Sequence, residues 1–454
     1  MSVSPAAGAP FVGAEPSIPA VDAGRHVRWP VLTNDDRQAV LGVLDRGVLS
    51  GQFAPEVRGL ERAFAQAVGS RFAVATNSGT AALHVALAAA GVGPGDEVLV
   101  PAFTFVATAL AVLHHCAIPV FVDIEPRTLG MDPALAERAI TPRTKAILPV
   151  HLHGVPCELG PLLDLAQRHG LVLIEDAAQA HGATYRGRAV GTFGKAGCFS
   201  LQSSKSLACG EGGVMVTDDA ALYTRACQAR MFGEGSSPDD EAHYDLRRPL
   251  DGNRAYDSRA MGWMYRTNEL SAALARSQLH RLADWNARGR ANAERLSSRL
   301  RQLPGITAPE VPGDRVAAFH KYRVRMDARA MGVDAPPKVV RDAVLGALRA
   351  QGLEAVLWQT APVPAQGLFQ ERVGYGVQPG QAVGVPWSLG APVRYDLAQY
   401  PVTTQVLDSS LCLFSQSCPI APQAPELVDA YAEVFAAVWG QLDRVLAKAE
   451  RTAR

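Results

Sequence analysis

Lys205 is the residue of this sequence best placed to act as a nucleophilic amine. It lies in the string Cys198–Gly213, where small polar residues precede it and a Gly-rich turn leads into the apolar stretch Val214–Thr217. A lysine in a confined site loses its proton readily and can form a Schiff base with a carbonyl compound. Most loop lysines are ordinary surface residues, so Lys205 alone does not establish this chemistry.

Two carboxylates stand where a predicted buried strand ends. Glu175 and Asp176 follow the apolar run that begins at Leu171, and Gln179 comes three residues later. An aspartate in that place can keep a pyridine nitrogen protonated, which makes the pyridine ring an electron sink. The same aspartate could instead cap the turn after the strand. The residues alone leave both interpretations open.

Two further strings also follow predicted strands. Asn77–Leu83 is a polar turn leading into an Ala/Leu-rich helix, and free backbone N–H groups at a helix N-terminus can bind phosphate. Pro101–Thr108 contains Phe105, an aromatic residue able to stack on a flat ring. An ordinary helix cap and a core aromatic are the alternatives, and each string alone fits either.

Alternating helical and strand-like segments carry these four strings. The predicted helices are Asp35–Arg46, Pro55–Val68, Ala81–Ala90 and Pro161–His169, and the predicted strands are Phe72–Thr76, Glu97–Pro101, Ile118–Asp123, Ala146–His151 and Leu171–Glu175. Short apolar strands separated by helices predict an α/β fold with a largely parallel sheet covered on both faces. Right-handed crossovers then place a ligand outside the carboxyl ends of the strands, where all four strings fall.

The pattern changes after about residue 265. Asn268–Leu303 reads as one long helix, and the strand Tyr322–Met326 and the helices Lys338–Gln351 and Pro425–Lys448 follow. Residues 359–424 are rich in Pro, Gln, Gly and Ser and are expected to be irregular. We therefore expect a flexible N-terminal arm over 1–24, a large domain over 25–280 and a small α+β domain over 281–454.

Together the four strings supply the parts that one cofactor requires. They offer a phosphate cradle, a ring-stacking residue, a partner for a pyridine nitrogen and an amine, which is the set needed to hold pyridoxal 5′-phosphate (PLP). In this order and spacing they resemble the DegT/DnrJ/EryC1/StrS family of PLP-dependent sugar aminotransferases, within the fold-type I, aspartate aminotransferase-like group. The resemblance runs from about Trp29 to the C-terminal helix. Its most specific parts are Asn77–Leu83, Pro101–Thr108, Glu175–Gly182 and Phe199–Gly213.

The resemblance implies a role for each candidate residue. Lys205 would be the Schiff-base lysine and proton shuttle, and Asp176 would hold the pyridine nitrogen. Gln179 would contact the ring hydroxyl, and Phe105 would stack on the ring. The remaining cofactor-binding candidates, which would hold the phosphate, are Ser78, Gly79, Thr80 and Ser200.

Met264 departs from the family pattern. Many relatives carry Asn at this position, and that Asn reaches the cofactor phosphate of the partner subunit, whereas Met cannot donate a hydrogen bond. Either the contact is lost or a neighbour such as Asn268 replaces it. Arg266 matches the motif. The family also implies a homodimer with shared active sites.

The expected reaction moves an amino group from glutamine or glutamate to a ketone on a sugar, a sugar nucleotide or a cyclitol, in aminosugar, antibiotic or other natural-product biosynthesis. One alternative is a 3-amino-5-hydroxybenzoate synthase-like enzyme, which the stretch Leu407–Phe414 resembles. A PLP-binding regulatory protein without turnover is the other. Family members that run dehydrations carry His in place of the lysine, and Lys205 argues against that branch.

Composition excludes several partners. Lys plus Arg and Asp plus Glu number 44 each, so no net charge favours nucleic acid or a membrane surface. The seven cysteines are scattered without a CxxC pair, which predicts a reducing compartment and a cytoplasmic protein. His151 and His153 would share one face of a strand, but two imidazoles do not make a metal site, so no metal is expected.

Overall fold

The computed structural model describes residues 18–51, 54–234, 258–375, 384–389 and 393–453. Most of the predicted arm therefore lies outside the described residues. Within the described part of the chain, no helix is both long and apolar enough to cross a membrane.

A seven-stranded sheet forms the centre of the large domain. Its strands are β1 Phe72–Thr76, β2 Glu97–Pro101, β3 Ile118–Val122, β4 Thr144–Ile147, β5 Val172–Asp176, β8 Ala196–Ser200 and β9 Gly213–Thr217, and a small separate sheet contains β6 Thr184–Tyr185, β7 Arg188–Ala189 and β11 Arg315–Val316. The order β1-β9-β8-β5-β4-β2-β3 is parallel except for β9, which runs antiparallel to both neighbours. The carboxyl ends of β1, β2, β5 and β8 consequently meet at one edge, and the predicted mainly parallel α/β fold is confirmed.

Helices cover both faces of this sheet. They are α1 Asn34–Arg46, α2 Pro55–Val68, α3 Gly79–Ala89, α4 Ala107–Leu113, α5 Pro133–Ala139, α6 Leu159–His169, α7 Ala220–Arg230 and α8 Glu269–Leu279. Strand alternation divides the core, so that Val74 packs with α3, α4 and α7, while Ala73 and Ala75 pack with α2, α5, α6 and α8. Both faces are buried, which explains why these strands read as continuous apolar runs.

The small domain is built on a second, antiparallel sheet in the order β10-β12-β14-β13. Its elements are α9 Leu282–Leu300, β10 Ile306–Thr307, β12 Tyr322–Met326, α10 Pro337–Ala350, β13 Ala355–Val356, α12 Pro401–Asp408, β14 Ser410–Leu413, α13 Pro425–Gly440 and α14 Leu442–Ala453. The short helix α11 Gly367–Gln370 lies within the same stretch of sequence, but its Phe369 packs in the apolar core of the large domain. One buried apolar cluster joins this sheet to α9, α10, α13 and α14. Val21 belongs to the same cluster, and its N–H donates to Gln351 O, so the chain is already packed at this point of the predicted arm.

Three element predictions were wrong. The single helix expected over Asn268–Leu303 is two helices, α8 and α9, separated at His280 and Arg281. Helical dihedrals persist across the break, and the two helices have different packing partners, α1 and α2 for α8 and α13 for α9. The helix expected over Pro425–Lys448 is likewise divided, at Gln441.

The third error concerns residues 359–424, which are only partly irregular. They include α12 and the central strand β14, whose four residues are all buried. Proline-rich surroundings concealed a strand that pairs with β12 and β13 and packs against α10 and α12.

Candidate active site

One cavity of about 360 Å³ lies at the edge where the parallel strands end. All eight predicted site residues line it: Ser78, Gly79, Thr80, Phe105, Asp176, Gln179, Ser200 and Lys205. They come from the ends of four strands that are distant in sequence, so only the parallel sheet brings them together.

The Asp176 carboxylate is buried at the end of β5 and held from two sides. Thr108 Oγ1 donates to Oδ2 over 2.9 Å, and Ala178 N donates to Oδ1 over 3.1 Å. Burial raises the pKa of Asp176, while the hydrogen bonds from Ala178 and Thr108 and the charge of Lys205 oppose that rise. The carboxylate therefore has a fixed direction and a basic neighbour within a buried site.

Glu175, the adjacent carboxylate, faces the opposite side of the strand and fastens the segment that follows. It accepts from Gly191 N, Phe193 N and Gly194 N over 2.6–2.8 Å and bonds to His151 Nε2 at 3.0 Å. All of its acceptor capacity is used within the protein. The two consecutive carboxylates thus have different roles. Glu175 stabilises the end of the strand, and Asp176 faces the cavity.

Lys205 sits on the tight loop between β8 and β9. Its N–H donates to Gln202 O over 2.8 Å, and its carbonyl accepts from the indole Nε1 of Trp29 over 2.9 Å. Burial lowers the pKa of the Lys205 amine, and the Asp176 carboxylate acts in the opposite direction. The amine consequently releases its proton more easily than an exposed lysine does.

A cradle of backbone amides lies where α3 begins. Ser78 caps the helix by accepting from Ala81 N over 3.1 Å, which leaves the N–H groups of Gly79 and Thr80 facing the cavity end of the helix. A Cβ on Gly79 would come within 2.6 Å of Ser200 Cβ. Glycine is therefore required for the helix N-terminus to approach the end of β8 so closely.

Phe105 and Gln179 border the space between the cradle and Asp176. The Phe105 side chain is 56% exposed in the single chain, so its ring is uncovered at the cavity. Gln179 Oε1 accepts from His153 N over 2.8 Å, which fixes the amide and leaves its NH₂ group to donate elsewhere. His153 does not extend a strand as expected, because it lies in a turn after β4 with φ of 59°.

His320, in a segment that the sequence marks as the start of a small-domain strand facing the substrate, lines the far wall of the cavity. Other residues that line or support the cavity were missed in the sequence. Trp358 and Gln416 come from the small domain and line the same wall, and Trp29 supports the Lys205 loop from outside. Trp29 N also donates to Ser417 O over 2.8 Å, so one residue joins the lysine loop to the segment that carries Gln416. No local pattern marks these residues, because their contacts span more than a hundred positions.

The segment that departs from the family pattern lies beside this region. The Met264 side chain is 42% exposed and pairs through its backbone with Met231. Asn268, the suggested replacement, uses its Oδ1 to cap α8 by accepting from Ser271 N over 2.9 Å. Its NH₂ group is therefore the part that remains for any contact outside the helix.

The cavity fits PLP on its own geometry. The Gly79–Ser200 approach forms a cradle that a single added Cβ would fill, and the unpaired amides there suit a phosphate. A buried carboxylate and a lysine of lowered pKa lie in the same cavity, and these are the groups that hold a pyridine nitrogen and bond covalently to an aldehyde.

Comparison with known proteins agrees with this geometry. A model of the DegT/DnrJ/EryC1/StrS aminotransferase family matches residues 30–382. L-glutamine:scyllo-inosose aminotransferase of Streptomyces griseus is 44% identical over 311 residues, covering 67% of this chain and 72% of that protein. L-glutamine:2-deoxy-scyllo-inosose aminotransferase of Micromonospora echinospora is 42% identical over 327 residues, covering 69% and 76%.

Solved structures give the same fold. The crystal structure of 3-amino-5-hydroxybenzoic acid synthase superposes with a TM-score of 0.75 at 28% identity, covering 92% of this chain and 99% of that one. DesV of S. venezuelae superposes with a TM-score of 0.71 at 33% identity, covering 90% and 98%.

Proposed function

Since the chain belongs to the DegT/DnrJ/EryC1/StrS aminotransferase family, we propose that Lys205 and Asp176 are the catalytic residues of its amino transfer. The protein is a PLP-dependent aminotransferase of fold type I. The observation that supports the assignment best is the meeting of a desolvated amine, a buried carboxylate and an amide cradle in one cavity.

Each side chain has a defined task in this proposal. PLP, when bound, supplies the electron sink that makes the α-carbon of an amino acid acidic. The Lys205 amine accepts the proton from that α-carbon and returns it to the cofactor side, acting in turn as general base and general acid. Asp176 keeps the pyridine nitrogen protonated, which lowers the energy of the negative charge that develops on the substrate.

The remaining cavity residues hold the cofactor in register. The amides of Gly79 and Thr80, the turn at Ser78 and the hydroxyl of Ser200 bind the phosphate. Phe105 would stack on the ring, and the Gln179 NH₂ group would donate to the ring hydroxyl. These contacts would hold the cofactor in a fixed position relative to the Lys205 amine.

We assign glutamine as the donor and the ketone of a cyclitol as the preferred acceptor, with sugar and sugar-nucleotide ketones as the wider class. The two glutamine-dependent cyclitol aminotransferases named above share 42% and 44% identity with this chain. GDP-perosamine synthase of Caulobacter vibrioides, at 38% identity over 333 residues, supports the wider class. Aminosugar or antibiotic biosynthesis is the corresponding pathway type.

A 3-amino-5-hydroxybenzoate synthase-like activity is the second candidate, supported by the superposition at a TM-score of 0.75. The stretch Leu407–Phe414 that suggested it forms the end of α12 and the strand β14, where the residues of β14 are fully buried. The resemblance of this stretch to 3-amino-5-hydroxybenzoate synthase therefore concerns buried structural residues, and no residue of the stretch lines the cavity.

A homodimer in the cytoplasm completes the proposal. Large apolar side chains are exposed on neighbouring segments, among them Phe232, Met261 and Met264, and a second copy of the chain would cover them. All seven cysteines are free, as expected in a reducing compartment. Sedimentation equilibrium of the holoenzyme should give twice the chain mass of 48.2 kDa.

The decisive experiment follows the cofactor absorbance of the holoenzyme and then the product. L-glutamine should shift the visible absorbance, and scyllo-inosose added afterwards should restore it and yield an aminocyclitol detectable by mass spectrometry. An absorbance that neither glutamine nor glutamate changes would refute the transaminase assignment. An aromatic amino acid formed from an aminodehydroquinate-type substrate would favour the second candidate.

A further inference from the structure

A second cleft, of about 30 Å³, lies behind the wall of the active-site cavity and shares no lining residue with it. The cleft is lined by three basic residues at alternate positions: Lys321, just before β12, and Arg323 and Arg325 within it. Their side chains therefore emerge on one face of the strand, while Tyr322 and Val324 on the other face pack in the small-domain core. Three cations in a row on one face of a strand repel each other unless something compensates them.

Arg323 makes a hydrogen bond through each of its three guanidinium nitrogens. Its guanidinium donates to His153 Nε2 over 3.0 Å, to Ser410 Oγ over 2.7 Å and to Trp358 O over 2.7 Å. None of these acceptors carries a negative charge, so the hydrogen bonds satisfy the donors without neutralising the cation. Arg323 is therefore a positively charged side chain held in a fixed position in the lining of the cleft.

Lys321 has no such partners. Its residue is only 7% exposed, yet among the described residues its ammonium group has neither a hydrogen bond nor an ion pair. It lies 5.5 Å from the centre of the Trp358 ring, a contact that partly offsets the lost water. Burial, together with the charges of Lys205 and Arg323 and against the influence of Cys412, lowers the pKa of Lys321 to about 8.

Arg325 gives the cleft its second available cation. It is half-buried, and within the described ranges it too has no hydrogen bond or ion pair, although the charges of Glu310 and Glu125 oppose the lowering of its pKa by burial. The acid that lines the cleft, Glu310, already bonds to Arg127 over 2.6 Å, and nearby Glu125 accepts from Arg127 N and Thr128. The lining thus contains four basic side chains against one paired carboxylate.

We propose that this cleft binds a small oxyanion, a phosphate or carboxylate group, with Lys321 and Arg325 as its ligands. An oxyanion would accept from the three Lys321 donors and from the Arg325 fork, and it would compensate the charge of Arg323 beneath it. The cleft admits only a group of a few atoms, which favours a free inorganic anion or the end of a small carboxylic acid over a nucleotide. The cofactor phosphate is held elsewhere, in the cradle at Gly79, so the two anion sites are separate.

Inorganic phosphate is the first probe, used on the holoenzyme so that PLP occupies the cradle. Calorimetric titration at constant ionic strength, with chloride replaced by phosphate, should give saturable binding at one site per chain. Lys321→Met should weaken that binding at least tenfold, and Lys321→Arg should retain most of it. Lys338→Met is the matched control, because Lys338 is exposed and does not line the cleft.

A second titration with 2-oxoglutarate distinguishes a carboxylate from a phosphate source. Tighter Lys321-dependent binding of either anion supports the site and identifies its preferred chemistry. Absence of saturable binding of both, or equal binding by the Lys321→Met variant and the parent, overturns the proposal. Should Lys321→Met fail to fold, Arg325→Gln supplies the same comparison from a half-buried position. Catalysis does not enter the readout, so these outcomes are independent of the proposed amino transfer.

Discussion

Lys205 and Lys321 are two buried lysines with lowered pKa values and different surroundings. Lys205 shares its cavity with Asp176, whose carboxylate raises the lysine pKa against the effect of burial. Lys321 has the positive charges of Lys205 and Arg323 near it, and no described carboxylate within bonding distance. The same loss of water therefore produces a poised amine in one place and an uncompensated charge in the other. A compensating group built into the protein marks the catalytic lysine, and its absence marks a place for a ligand.

The largest effect should come from removing the compensated amine. Lys205→Ala deletes both the covalent attachment point and the proton shuttle, so the turnover number should fall by about 10⁴-fold. Single-turnover absorbance measurements with L-glutamine would give the rate directly. Lys195→Ala is the control, because Lys195 is exposed and makes only a 3.7 Å contact with Asp219. Turnover within tenfold of the parent would contradict the assigned role of Lys205.

Asp176→Asn removes the compensation and leaves the lysine. Loss of the negative charge at the pyridine nitrogen should lower the turnover number by about 10²–10³-fold. Because Asp176 raises the pKa of Lys205, its removal should let the amine lose its proton at lower pH, and the rising limb of the pH–rate profile should move to lower pH. A limb that moves to higher pH would show that the two side chains are not coupled as described.

The two lysines also differ in how far sequence could identify their sites. The eight predicted residues that line the cavity could be found because each lies at or shortly after the end of a predicted strand, and such positions have local signatures such as Asn77-Ser-Gly-Thr80 or Glu175-Asp176. The alternation of short apolar strands with helices likewise gave the sheet. What could not be predicted depends on distant packing, as with Trp29, which meets Lys205 across 176 positions.

The small domain shows the same limit. Lys321 is one residue in a mixed string, His320-Lys-Tyr322, and nothing in that string reveals that Trp358 covers it. The break between α8 and α9 has no glycine or proline to mark it, and what distinguishes the two helices is their packing partners. A site could therefore be predicted from the sequence where consecutive residues of the backbone form it. It could not be predicted where side chains from separate elements form it.

A smaller effect should come from Trp29→Phe, which keeps the ring but deletes the N–H donor to Lys205 O. Loss of one neutral hydrogen bond is worth about 1 kcal/mol, so the turnover number should fall about fivefold. A positioning role also predicts a shifted pH–rate profile, since the lysine loop would relax. Trp285→Phe is the control, because the buried Trp285 Nε1 has no acceptor among the described residues. Equal pH–rate profiles for the Trp29→Phe and Trp285→Phe variants would show that Trp29 contributes packing only and does not position the lysine loop.

Lys321→Met should act on stability, since Lys321 is buried and does not line the cavity. The folded-state pKa of Lys321, about 8, lies below the unfolded value of 10.5, so protonation favours unfolding. The penalty is absent above pH 10.5, grows as the pH falls, and is complete below pH 8. Removing the amine should therefore raise the free energy of unfolding by on the order of 3 kcal/mol at pH 7.

Urea unfolding should show this gain in the free energy of unfolding falling to less than about half at pH 9.5. Saturating phosphate should reduce it at pH 7, because an anion that binds only the parent stabilises only the parent. A gain that depends on neither pH nor phosphate would mean that Lys321 is an ordinary buried side chain, and the contrast with Lys205 would then rest on Asp176 alone.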